Sequence, residues 1–239
     1  MLSRLLWIGC TSSYRTTEIA RATVSILRKL DVDYTYLGVD EGCCGSVLLR
    51  AGFRDTAERT AADVYEKLKK HEVSEIVTPC AGCYRTFRLD YPEILEEWPF
   101  SIMHISQLLH EKLKRDMLKP VELKVTYHDP CHLGRHCGVY DEPRAVLEMI
   151  PGVELVEPKW TREKALCCGA GGGVRSAYPE LALAAAQELL EKYLMPTGAE
   201  AVVSSCPFCY YNLKAACERL GSPVKILDLT MLVEQALKK

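Results

Sequence analysis

No apolar run in this chain approaches the roughly 20 residues that a membrane-crossing helix requires, so no direct membrane insertion is expected. Nor does either sign of charge dominate: 30 Lys and Arg face 32 Asp and Glu, a formal net charge of −2. That balance excludes a general nucleic-acid-binding role. An export signal is not expected either. The apolar stretch in "MLSRLLWIGC" is about half the usual minimum for a signal core, and helical sequence follows it directly. It is read as a first buried strand, and the protein is expected in the cytoplasm, with any membrane association made through a partner. With 239 residues, 48% of them apolar, the chain can bury a core without staples. Against these absences stands one excess: twelve cysteines. Without export, such a number points to metal binding or catalysis rather than to a disulfide framework.

The cysteines are arranged twice. The first half runs Cys10, Cys43-Cys44-Gly45, Cys80-Ala-Gly-Cys83, and the second Cys131, Cys167-Cys168-Gly169, Cys206-Pro-Phe-Cys209. Matching positions lie 121 to 126 residues apart, and "ISQLLHEKLKR" (105–115) parallels "LTMLVEQALKK" (229–239). Cys137 and Cys217 have no counterparts and are read as small buried residues. An internal repeat of this kind divides the chain into halves 1–118 and 119–239. In the first half, apolar runs at 4–9, 33–38 and 74–79 read as strands, and the amphipathic stretches 16–30 and 55–70 as helices. The second half repeats this with strands at 123–130, 154–157 and 199–205 and a helix at 179–194. Alternating strands and helices predict two tandem, pseudo-symmetric, Rossmann-like α/β halves with mainly parallel sheets. The cysteines then fall in loops at the carboxyl ends of the strands, where such sheets collect ligands.

Three chemistries suit cysteine sets. Structural zinc takes four ligands and could join the two Cys-x-x-Cys pairs, but it leaves Cys10, Cys43, Cys44 and their counterparts idle. A redox dithiol at a helix start needs only one Cys-x-x-Cys. Iron–sulfur binding uses all ten. A cubane cluster needs four thiolates and each half offers five. Either the fifth is a free thiol beside a cubane, or the cluster is larger-angled and thiolate-bridged. Adjacent cysteines suit the second case, because in a regular strand their side chains would diverge. Gly42, Gly45 and Gly169 permit the irregular loop that lets both sulfurs reach one group.

The repeat Cys…Cys-Cys-Gly…Cys-x-x-Cys resembles the cysteine-rich "CCG" domain. In its paired form it is similar to the catalytic B-type subunit of heterodisulfide reductase and to the later part of the D-type subunit. The words "HDPCHLGR" (128–135), "CCGAGGG" (167–173) and "CPFC" (206–209) carry the resemblance. It implies two noncubane 4Fe-4S clusters, one held by Cys10, Cys43, Cys44, Cys80 and Cys83, the other by Cys131, Cys167, Cys168, Cys206 and Cys209. It also implies reductive cleavage of a small-molecule disulfide between facing clusters. The heterodisulfide of coenzymes M and B is the family's substrate. Related proteins serve instead as electron-transfer subunits of membrane-linked dehydrogenases with no substrate of their own. Neither the ferredoxin signature that the D-type subunit carries nor a Cys-x-x-Cys-His haem site is present. Electrons are therefore expected from a partner carrying cubane clusters and, beyond it, a flavin or haem subunit.

Lesser signals remain. "GAGGG" (169–173) lacks the full dinucleotide-binding spacing and does not follow a first strand. His128, His132 and His136 surround Cys131 at a spacing that would align them on one helix face. They read as hydrogen-bonding neighbours or, more sharply, as a proton source for a departing thiolate, with His132 the catalytic candidate because it adjoins a ligand. Arg15, Arg50, Arg135 and Arg175 lie in cysteine loops and would suit an anionic substrate.

Overall fold

The computed structural model describes residues 3–238. Seven strands among them form two parallel sheets. The first holds β1 (Arg4–Leu6), β2 (Glu75–Thr78) and β3 (Ser101–His104) in that order. The second holds β4 (Leu123–His128), β5 (Val153–Leu155), β6 (Ala201–Ser204) and β7 (Lys225–Asp228), ordered β5-β4-β6-β7. The central strands are buried on both faces, as parallel strands covered by helices must be: β2 and β6 have no exposed residue.

The repeat is visible in the topology. The stretch 33–38, expected as a strand, is not one. Only Thr35 bridges Leu5, on the side of β1 away from β2. That is the place β5 holds beside β4 in the second half. The segment 33–38 makes this single bridge and no ladder. Two strands were not expected, β3 and β7. They occupy corresponding edges and lead into corresponding helices, Ile105–Lys112 and Leu229–Ala236.

Those two helices tie the molecule together. Ile105–Lys112 packs against Asp141–Met149 of the other half, and Leu229–Ala236 packs against Thr17–Lys29. Each half thus lends its last helix to the first long helix of its partner. Ile26, Leu27, Leu108, Leu109, Val146, Leu147, Leu232 and Val233 meet in one core with Leu6, Val77, Val125 and Val203 of the strands. No cysteine belongs to that shared core. Cys44, Cys80 and Cys83 join one further core, and Cys168, Cys206 and Cys209 another that also takes in Ile19, Ala81 and Tyr84 of the first half, while Cys10, Cys43, Cys131 and Cys167 lie nearer the surface. No helix among the described residues is long and apolar enough to cross a membrane.

Candidate metal centres

Each sulfur is delivered by the end of a strand or by the loop beyond it. β1 ends three residues before Gly9, whose φ of 82° and ψ of 147° turn the chain so that Cys10 opens a short helix, Cys10–Tyr14. A Cβ on Gly9 would lie 3.1 Å from Cys83 Sγ, so only glycine lets the corner pass beneath that thiol. β2 delivers Cys80 to the N-terminus of helix Ala81–Arg85, and β6 delivers Cys206 to that of Pro207–Arg219. Cys43-Cys44 and Cys167-Cys168 occupy irregular loops. There the Gly45 and Gly169 N–H groups donate to Cys43 Sγ and Cys167 Sγ, each at 3.4 Å.

The five thiols of each half influence one another in series. In the first the order is Cys10, Cys43, Cys44, Cys83, Cys80, with 3.7 Å between the sulfurs of Cys10 and Cys43. In the second it is Cys131, Cys167, Cys168, Cys209, Cys206, the same series under the repeat. Contact with Cys10 and Cys44 pushes the Cys43 thiol down to about 2, and contact with Cys131 and Cys168 does the same for Cys167. Their neighbours Cys10, Cys44, Cys83, Cys131, Cys168 and Cys209 are pushed up. Five adjacent thiols cannot all ionise without a compensating cation. Neither small cavity between the thiols has a Lys or Arg in its lining. Five closely set thiols per half, met by backbone N–H groups at Gly45 and Gly169, fit iron–sulfur groups.

The two cavities share a wall. Ser46, Val47, Gly82 and Phe208 line both. Gly82 and Phe208 are repeat partners, each preceding the last cysteine of its set. Beyond the wall lie two wider cavities. One, of about 500 Å³, opens beside Cys10 and is lined by Arg15, Arg175, Tyr14 and Tyr211. The other, of about 470 Å³, opens beside Cys131 and Cys167 and is lined by Arg50, Arg85, His132 and His136. Arg50 lies 2.6 Å and Arg85 4.0 Å from the same Asp90 carboxylate, which leaves that mouth cationic. Arg135 lines neither cavity. It donates to the carbonyls of Glu163, at 3.4 Å, and Ala165, steadying the segment that leads into Cys167.

The three histidines do not share a helix face. His128 ends β4, while His132 and His136 lie in turns. The His132 and His136 rings stand 5.6 Å apart, edge to face, and His132 Nε2 is 3.4 Å from Arg85 Nη1. Burial, then the charge of Arg85, pushes His132 down to about 4, so the ring is neutral near pH 7.

Each half clamps its first corner with a carboxylate. In the first, Glu41, next to the cysteine pair, accepts from the N–H groups of Ile8 and Gly9 at 2.9 and 2.6 Å. In the second, Asp129 sits where Ile8 does and reaches the other way. It accepts two bonds from Arg144, both 2.8 Å, and one from the Arg162 N–H at 2.8 Å. Sequence reasoning missed Glu41, Arg85 and Phe208. Arg85 and Phe208 lie within two residues of a Cys-x-x-Cys cysteine, the one signal that could have flagged them.

The cysteine-rich domain model named CCG matches residues 5–88 and again 125–214. Over 236 residues the chain is 42% identical to the D-type subunit of dihydromethanophenazine:CoB–CoM heterodisulfide reductase from Methanosarcina acetivorans, covering 96% of this chain and 58% of that protein. It is 36% identical over 233 residues to the B-type subunit of fumarate reductase (CoM/CoB) from Methanothermobacter marburgensis, covering 95% of this chain and 45% of that one. It is 32% identical over 249 residues to an EtfAB:quinone oxidoreductase of Syntrophomonas wolfei, covering 98% and 34%. The chain therefore spans little more than half the length of such relatives, or less.

Proposed function

The chain belongs to the family of cysteine-rich CCG domains, and from that premise we propose that it is the iron–sulfur subunit of a disulfide-reducing complex of the heterodisulfide reductase type. Each half, 1–118 and 119–239, would hold one noncubane 4Fe-4S cluster through its five cysteines. The observation that carries this reading is the doubling: two thiol series of identical order lie on either side of one wall, Ser46, Val47, Gly82 and Phe208. When bound, the clusters would supply single electrons and iron sites with affinity for sulfur.

The substrate would be a small-molecule disulfide, the CoM–CoB heterodisulfide or an analogue, with one sulfur toward each set. Two electrons and two protons convert it to two thiols. Arg15 and Arg175 would bind an anionic group on one arm, and Arg50, with Arg85, one on the other. Arg135 would act through the segment it steadies. His132, neutral and beside Cys131, would relay a proton to a leaving thiolate and regain one by way of His136. Electrons would come from a partner with cubane clusters, supplied in turn by a flavin or haem subunit. Any membrane attachment of a cytoplasmic chain would be made through such a partner.

The similarity to the EtfAB:quinone oxidoreductase favours a second reading, an electron-transfer subunit with no substrate of its own. Anaerobically prepared protein, assayed for iron and sulfide and followed by EPR as disulfide or thiol is added, separates the two. The first reading expects a new paramagnetic signal under oxidising conditions. An unchanged spectrum from an iron-loaded protein supports the second, and iron-free protein overturns both.

A further inference from the structure

The two cysteine sets match in sulfur order but not in what stands behind them. At the last position of β4 lies His128, 2% exposed. A ring nitrogen of His128, Cys168 Sγ and Cys209 Sγ all lie within 4.8 Å of one another. Among the described residues its Nε2 is buried and has no hydrogen-bond partner. A buried polar atom left without a partner costs about 1–3 kcal/mol, so natural structures rarely retain one that nothing satisfies. An imidazole carries at least one N–H in either protonation state, and thiolate sulfur accepts it. In the first half the matching residue is Trp7, fully buried and packed edge-on against Phe87 at 5.0 Å between ring centroids. Trp7 Nε1 is likewise buried without a partner among the described residues, but an indole has only a donor and no lone pair to give a metal, so the histidine is the one of the two that could ligate iron as well as donate to sulfur.

We propose that His128 donates an N–H···S hydrogen bond to the sulfur of Cys168 or Cys209 when the second set holds its iron–sulfur group, and so raises that group's reduction potential. The inference rests on the reading that the second set binds such a group. The physical cause is that a donor aimed at sulfur stabilises the added electron. The histidine acts on electron distribution and touches no substrate. Its bond is to cysteine sulfur and not to iron.

Potentiometric EPR titration of the full chain tests it. In His128→Phe, one of the two redox transitions falls by at least tenfold in its equilibrium constant, about 59 mV for one electron, while the other stays where it was. In His128→Gln, whose amide N–H can replace the imidazole's, most of the shift is restored. A transition that does not move, or two that move together, overturns the proposal. Should His128→Phe fail to fold, a measurement on the native position decides. In protein containing 15N-histidine and the change His132→Ala, ENDOR of the reduced group shows weak nitrogen coupling. Strong coupling would mean direct ligation and would overturn the hydrogen bond, as would no coupling at all. Iron and sulfide content of each sample separates this outcome from failure of the functional reading, since a wild-type chain without clusters fails that reading first.

Discussion

Gly9 and Glu41 together decide where Cys10 stands. The φ of 82° and ψ of 147° at Gly9 lie in a region that side chains scarcely enter, and the nearest obstacle to a Cβ is the Cys83 sulfur. Gly9→Ala is expected to cost about 1–3 kcal/mol in backbone strain and to lower iron content from the first set only, as thermal unfolding and metal analysis would show. Glu41→Ala strands two buried N–H groups at the same corner and is expected to destabilise by about 2 kcal/mol or more. Glu41→Gln keeps an acceptor and should lose less, a difference measurable by denaturant unfolding. At this scale the ten cysteines were legible because residue type and spacing repeat along the chain. The corner clamps were not. Glu41 and Asp129 do the same work from opposite partners of the contact, so no aligned position announces it. Phe208 was hidden for another reason: its role as a shared wall exists only once two halves are set face to face.

Among the elements, the two exchanged helices begin with a matched pair of buried caps. The His104 side chain accepts from the Ser106 N–H at 3.2 Å, and Asp228 from the Thr230 N–H at 2.9 Å. Burial pushes His104 down to about 3 and Asp228 up to about 7, so each favours its neutral form. The consequences for pH run in opposite directions. For His104 the unfolded chain binds the extra proton between about 3 and 6.5, so stability is lost as pH falls through that window. For Asp228 the folded chain binds it between about 3.8 and 7, so stability is lost as pH rises. Between about pH 4 and 6.5 the slopes of this pair oppose each other. Asp228→Asn should expose a rise with pH and His104→Asn a fall, each approaching about 1.4 kcal/mol per pH unit. Urea midpoints across that range check both. A separate element, the Arg144 bridge, holds the helix Asp141–Met149 to the corner of β4. Arg144→Ala leaves the buried Asp129 carboxylate uncompensated and is expected to cost about 3–5 kcal/mol, against far less for an exposed pair such as Lys192 with Glu188. Long helices and buried strands could be read from periodicity. The edge strands β3 and β7 could not, because four residues with mixed exposure carry too short a pattern.

For the whole molecule, the exchange of terminal helices means that neither half owns a complete core. Residues 1–118 expressed alone would leave the Thr17–Lys29 face open and strand Ile105–Lys112 without its partner. Such a fragment is expected to show no cooperative unfolding transition by circular dichroism, whereas the full chain shows a single one. The two-fold organisation was legible in the sequence, but this interlocking was not, because a repeat reveals which segments correspond and not which of them cross.

Since the central core contains no thiol, the packing that joins the exchanged helices does not depend on the cysteines. Oxygen or chelators could then strip the sulfurs bare while the scaffold persists, ready for repair machinery to refill. Over longer spans, a lineage could let one arm's chemistry decay by substitution and still inherit a sound frame, with the silent arm kept on as the brace of the working one.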